Sequence, residues 1–247
     1  MKTALSIAAA ALLLTNAAGA AEIKVLSTQA TEEAYKELMP QFEKASGHKV
    51  TTVFTGTLDA LKRLSNGETY DLLIMARQQI DELSQSGKVV AGSRTDIAKS
   101  GVGAGVGKGK PKPDISTVDA LKKTLLAAKS IGYSTGPSGI YVVSMFQKMG
   151  IGDEIKSKLK QTPTGVFVGS IIASGEAEIG FQQVSELSFF PGIDYVGPIP
   201  AEVQLITVFS AGIPAGSKEV DAAKALVSFV TAPAAATIFK KHALDPG

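Results

Sequence analysis

Hydrophobic positions along the chain follow two alternating periods. Short runs that are almost continuously apolar or β-branched recur at residues 23–28 (IKVLST), 49–57 (KVTTVFTGT), 70–76 (YDLLIMA), 129–134 (KSIGYS), 178–182 and within VQLITVFSAGIP, and they read as strands. Between them lie stretches with helical spacing. In TEEAYKELMPQFEKASG, Ala34, Leu38, Phe42 and Ala45 share a face, Gly47 is a stop, and Pro40 is expected to kink the helix. LDALKRLSNGE, QQIDELSQSGK, the segment running to Met149-Gly150 and the short VGSIIASG stretch repeat the pattern. The C-terminal VDAAKALVSFVTAPAAATIFKKHAL forms one or two helices broken at Pro233. Strand-helix alternation of this kind predicts an α/β fold with mainly parallel sheets.

Two Gly/Pro-rich segments interrupt the alternation: SGVGAGVGKG near residue 100, followed by KPKPDIST, and FFPGIDYVGPIPAEV near residue 195. Such punctuation favours loops or short strands with close backbone approach. They are expected to be crossings between two lobes, one of residues 21–100 plus 204–247 and one of residues 101–203. The alternative is a single doubly wound domain with both segments on its surface.

The opening MKTALSIAAAALLLTNAAGA has Lys2, an apolar run over residues 4–14 and the small residues Ala18-Gly19-Ala20. This pattern predicts a cleaved export signal over residues 1–20 and a periplasmic mature protein; the apolar run is shorter than the roughly 20 residues of a membrane span. Removing those residues takes away one positive charge from a net +2. So balanced a chain carries no electrostatic footprint for nucleic acid.

The absence of Cys excludes disulfides and thiolate chemistry, and the two His, His48 and His242, form no metal-binding or triad motif. No cofactor or metal is expected. Tyr133, Tyr141, Asp59 and Glu186 remain possible proton-transfer groups, and spacing singles out none of them. Nucleotide loops fail as well. In YSTGPSGIY, Gly139 is followed by Ile140 where a P-loop needs Lys, and no register of SGVGAGVGKGK places glycines at all three fingerprint positions.

Several units share one local design, in which a strand ends in small or hydroxylated residues and a helix follows at once. Ser27-Thr28-Gln29, Thr55-Gly56-Thr57 and Ser134 to Gly139 all fit it. Helix N-termini offer unpaired N–H groups to an anion, and in open sheets such ends converge at one edge. Each loop alone is equally an ordinary helix cap. Arg77, directly after YDLLIMA, is a candidate charge partner for a carboxylate or oxyanion.

The order of IKVLSTQATEEAYKELMPQFEKASGHKV, YDLLIMA, GPSGIY, SGEAEIGF and AAATIFKKHAL resembles the periplasmic molybdate-binding proteins of ABC uptake systems. The resemblance implies a two-lobed periplasmic binding protein fold, a small anionic ligand in the cleft, an ABC permease as partner and a monomeric state. It places Ala30 and Thr57 where the family carries serine ligands. Ser138 and Gly139 match as backbone donors, the fourth position falls near Gly165, and Gln183 stands where the family has a pocket tyrosine. Thr28, Gln29, Thr55 and Gly56 join the candidate set from the loop design above. Phrases such as KPKPDISTVDALKKTLLAAKSIGYS and FSAGIPAGS resemble a divergent branch that includes aconitate isomerase, an enzyme on the same fold. Two readings follow: a receptor for an oxyanion or di- or tricarboxylate, and an isomerase acting by allylic proton transfer, whose catalytic residues the resemblance does not place.

Overall fold

The computed structural model describes residues 19–247; the predicted export signal lies outside the described residues except for Gly19 and Ala20. Strand β1 (Glu22–Thr28) pairs in parallel with β2 (Lys49–Thr55), from Glu22 opposite Lys49 to Thr28 opposite Thr55, and on its other side with β3 (Leu72–Ala76). Helix α1 (Glu32–Ser46) buries Ala34, Tyr35, Leu38, Met39 and Phe42, as the spacing predicts, and ends at Gly47 with φ 76°. It continues through Pro40, whose side is exposed, so the lost backbone bond faces water. Helices α2 (Thr57–Ser65) and α3 (Arg77–Gln85) follow β2 and β3.

The chain next runs through β4 (Thr95–Ser100) and, after Gly101 alone, β5 (Val102–Gly107) in a second sheet. That second unit continues with α4 (Val118–Ala127), β6 (Ile131–Tyr133), α5 (Pro137–Lys148), α6 (Gly152–Ile155), β7 (Leu159–Gln161), α7 (Val168–Ala173), β8 (Ile179–Gln183), α8 (Val184–Leu187) and β9 (Ile193–Pro198). A return crossing leads to β10 (Thr207–Gly212), α9 (Val220–Val230), α10 (Pro233–Lys241) and the short β11 (Asp245–Pro246). The two C-terminal helices part at Pro233, as expected.

The sheets have the orders β11-β4-β10-β3-β1-β2 and β7-β6-β8-β5-β9. Both are mixed, which corrects the expectation of mainly parallel sheets. The crossings are the reason. Strand β10 returns to the first sheet from the opposite direction and lies antiparallel between β3 and β4, while β5 is antiparallel to both β8 and β9. The glycine run at residues 101–107 is thus mostly a buried strand. A side chain at Gly103 would sit 2.7 Å from the Tyr195 ring, so glycine is needed for β5 and β9 to approach.

Each sheet is covered on both faces. In the first, Ile23, Val25, Leu72 and Ile74 pack with residues of α1, α9 and α10, and Leu26, Leu73 and Met75 pack with Ala60, Ile80 and Leu83. In the second, Ile131 and Phe181 pack with Leu121, Val142 and Phe146, while Val168, Ile172 and Leu187 fill the other face. Two glutamines fasten the crossings. Gln204 accepts from the Val102 N–H at 2.7 Å and donates to its carbonyl at 3.0 Å. The Gln183 amide has one orientation that pairs all its polar atoms: it donates to the carbonyls of Ser100 and Gly101 at 3.1 Å each and accepts from Thr207 at 2.9 Å.

Candidate anion cleft between the lobes

The strand ends of both sheets meet across a small cavity of about 30 Å³. Thr28, Gln29 and Ala30 reach it after β1, Gly56 and Thr57 after β2, and Ser134 to Ser138 after β6. Gly165 and Val166 come from the loop before α7, Gln182, Gln183 and Glu186 from the end of β8 and from α8, and Phe209 from β10. The lobes touch here. Gln29 donates from Nε2 to the Gly165 carbonyl at 2.9 Å, and a Cβ on Gly56 would lie 3.1 Å from the Gly165 nitrogen.

Backbone donors face this space at helix starts. In α5, Pro137 has no N–H, and the first bond along the helix runs from the Ile140 N–H to the Gly136 carbonyl at 3.0 Å. The N–H groups of Ser138 and Gly139 therefore precede the first intrahelical bond and are available to a ligand. In α2 the corresponding bond is Ala60 N–H to the Gly56 carbonyl at 3.0 Å, which frees the amides at Thr57 and the two residues after it.

Of the residues expected from sequence, Thr28, Gln29, Ala30, Gly56, Thr57, Ser138, Gly165 and Gln183 come together around this cavity. Gly139 stands behind them, with the position of its missing Cβ only 1.7 Å from the Ser134 carbonyl oxygen. Besides Gly139, two expected residues are not in the lining. Thr55 turns away to donate to Asp59 Oδ2 at 2.9 Å, where it helps Arg63 hold that carboxyl below the usual carboxylate range. Arg77 is also turned away, and the expectation that it serves as charge partner is corrected. Its guanidinium is paired with Asp96 on β4, through Nε at 3.2 Å and a second, shorter contact from Nη2. Burial would raise the Asp96 carboxyl, but hydrogen bonds from Ser210 and Arg77 and the charges of Arg77 and Arg94 hold it low. A carboxylate on β4, across the intervening β10, already satisfies the cation. Gln183 lines the cavity, yet its amide is consumed by the two crossings.

At the junction of β8 with α8 a helix also follows the strand at once, though after Gln182 and Gln183 rather than small residues, and α8 adds the one titratable side chain among the described residues that line this cavity, Glu186. No Lys or Arg lines it among the described residues. The Glu186 carboxyl is pushed up to about 8 by burial, with the charge of Glu32 adding to the rise and hydrogen bonds from the Gln183 backbone and the Gln182 side chain opposing it. Near neutral pH it is mainly a neutral acid, able to donate to an anion. Glu186 also lines a side pocket of about 310 Å³ that shares Gln29 and Ala30 with the cleft and includes Glu32, Glu33, Lys36, Phe189 and His242. His242 contacts Glu37 at 2.7 Å, and His48, at the far end of β2, accepts from the Ala21 N–H at 3.1 Å. Sequence spacing held Glu186 level with Asp59, Tyr133 and Tyr141; only the β8–α8 junction distinguishes it.

Known proteins resemble this chain in sequence and fold. An aconitate isomerase from Pseudomonas sp is 34% identical over 230 residues, covering 91% of this chain and 87% of the relative. The molybdate-binding protein ModA of Azotobacter vinelandii is 30% identical over 251 residues, covering 96% and 95%. The solved periplasmic molybdate-binding protein of Azotobacter vinelandii superposes with a TM-score of 0.76 at 21% identity, covering 91% of this chain and 99% of that one, which supports the two-lobed fold. The family model of the bacterial extracellular solute-binding proteins matches residues 23–244, nearly all of the described chain, and the chain belongs to that family.

Proposed function

We propose that this protein captures a small anion, an oxyanion or a di- or tricarboxylate, in the cleft between its lobes after export to the periplasm, for delivery to an ABC permease. The observation that carries this reading is the convergence of the strand-to-helix loops at Thr28–Ala30, Gly56–Thr57, Ser134–Ser138 and Gly165–Val166 on one cavity without a lining cation. Neutral donors at helix starts bind an anion through charge-assisted hydrogen bonds, and closure of the lobes strengthens them by excluding water. The lobes that close are residues 21–100 plus 204–247 and residues 101–203, and the protein works as a monomer without nucleic acid. Titration calorimetry with molybdate, tungstate, sulfate, citrate and both aconitates tests it. Binding of at least one anion at micromolar concentration is expected; binding of a neutral sugar with failure of all six anions overturns the reading.

A second reading, isomerisation of cis- and trans-aconitate, is favoured by one observation: the cleft holds a carboxyl group as well as donors. An anion receptor can use that group only as a neutral donor, whereas isomerisation needs a group that exchanges a proton. Mixing the purified mature protein with cis-aconitate and following trans-aconitate by NMR separates the two readings.

A further inference from the structure

The two cavities share a wall at Gln29, Ala30 and Glu186, and of these only Glu186 can exchange a proton. A ligand with several carboxylates that spans the cleft and the adjoining side pocket would draw its carbon skeleton past that wall. Ser185, beside Glu186, adds a hydroxyl to the side pocket that is buried and has no partner.

We propose that Glu186 is the catalytic acid–base of the cleft, carrying a proton between the two ends of an allylic unit in an unsaturated polycarboxylate. The proposal rests on the isomerase reading above. As a carboxylate, Glu186 removes a proton from the methylene carbon. The electron pair of that C–H bond becomes a new C=C bond, and the electrons of the former double bond move onto the conjugated carboxylate as a dienolate. When the dienolate collapses, the proton passes from Glu186 to the carbon at the other end of the unit. Glu186 is again a carboxylate, and atoms and charge balance without a cofactor. The N–H groups of Ser138 and Gly139 are placed to bind the oxygen on which charge develops.

The surroundings of Glu186 suit a reversible proton carrier. The turn at Gln29–Thr31 leads to Glu32 and Glu33, β9 carries Asp194 and Tyr195, and β5, β8 and α7 bring no titratable side chain against α8. Lys36 and His242 share the side pocket. Lys36, the one Lys or Arg among the described residues that line the two cavities, is bound to Glu32 at 2.6 Å and to Glu33 at 3.2 Å rather than to Glu186. A carboxyl displaced towards 8 is close to the working pH, where a general acid–base is most effective.

The test compares wild type, Glu186→Gln and Glu186→Asp with cis-aconitate in deuterated buffer. NMR follows isomerisation and deuterium uptake, and calorimetry follows aconitate binding. Wild type is expected to turn over, and Glu186→Gln to bind aconitate while its kcat falls by about 100-fold or more. Glu186→Asp, which keeps the carboxyl, should recover part of the rate. Turnover in Glu186→Gln at the wild-type rate overturns the role of Glu186 and leaves the isomerase reading standing. Tight binding by wild type without turnover or deuterium uptake overturns both. If Glu186→Gln does not fold, Glu186→Asp decides: a kcat unchanged from wild type counts against the proposal, because the shorter side chain withdraws the carboxyl from the reacting carbon.

Discussion

The side-chain amide of Gln29 donates to the carbonyl of Gly165 at 2.9 Å, joining a loop of the first lobe to a loop of the second across the anion cleft. Gly165 adopts φ +81°, a conformation that suits glycine, and this turns its carbonyl towards Gln29. The bond exists only when the lobes are together, so it favours the closed form and, through it, the bound ligand. Gln29→Ala should weaken anion binding by about two- to tenfold, the equivalent of one hydrogen bond. The check is calorimetry, with small-angle scattering expected to show a more open average shape.

Anion affinity should depend on pH through Glu186. Below about 8 the carboxyl is neutral and donates; above that it is a second negative charge beside the ligand. Affinity for sulfate, whose own charge is constant between pH 6 and 9, should be flat up to about pH 8 and then fall by up to about tenfold per pH unit. Glu186→Gln should abolish the fall. Stability has a related sign. The folded carboxyl is raised above its ordinary value of 4.5, so its contribution is fully present below that pH and is lost as pH rises towards about 8. Thermal melts of Glu186→Gln should therefore gain on wild type between pH 5 and pH 8.

Arg77→Ala should leave anion affinity within about twofold, because the guanidinium is held by Asp96 and lies outside the lining. The half-exposed pair adds little to stability, and Asp96 keeps Arg94 at 3.0 Å and Ser210 at 2.7 Å, so a loss of about 0–1 kcal/mol is expected. Denaturant melts and sulfate titration check both statements. A tenfold loss of binding would return Arg77 to the cleft.

The fold was legible because β3 is continuously apolar and α1 is strictly periodic, signals that local sequence carries directly. The glycine run was harder to read. Gly103 belongs to a strand because it pairs with Gln182 of β8 and Pro198 of β9, both far away in sequence, and Tyr195 lies over it. The meeting of Thr28, Thr57 and Ser138 at one cavity was legible because a strand end followed at once by a helix start is written in adjacent residues. Arg77 was misjudged for the opposite reason: its partner Asp96 reaches it only because β10 inserts between β3 and β4, an arrangement that depends on the second crossing. Glu186 could be named and not ranked, because its enclosure is made by residues from both lobes.

The tightest packing in the cleft gives the sharpest prediction. At Gly139 a Cβ would stand 1.7 Å from the Ser134 carbonyl oxygen and 2.5 Å from its carbon, and backbone atoms cannot rotate aside as a side chain can. Gly139→Ala must push the start of α5 away from the end of β6. That displacement moves the Ser138 and Gly139 N–H groups, whose placement depends on the helix starting where it does. Overpacking of this kind costs about 1–3 kcal/mol, so the thermal midpoint should fall by several degrees, and anion affinity should fall by more than about tenfold as the donors lose their alignment. Gly136→Ala is the steric control for stability: its added Cβ would meet Ser134 Oγ at an ordinary 3.6 Å, and its φ of −80° is open to alanine. Its midpoint should stay near wild type, and equal losses in the two variants would show that the loop's flexibility, rather than the contact at Gly139, sets the stability of this lobe.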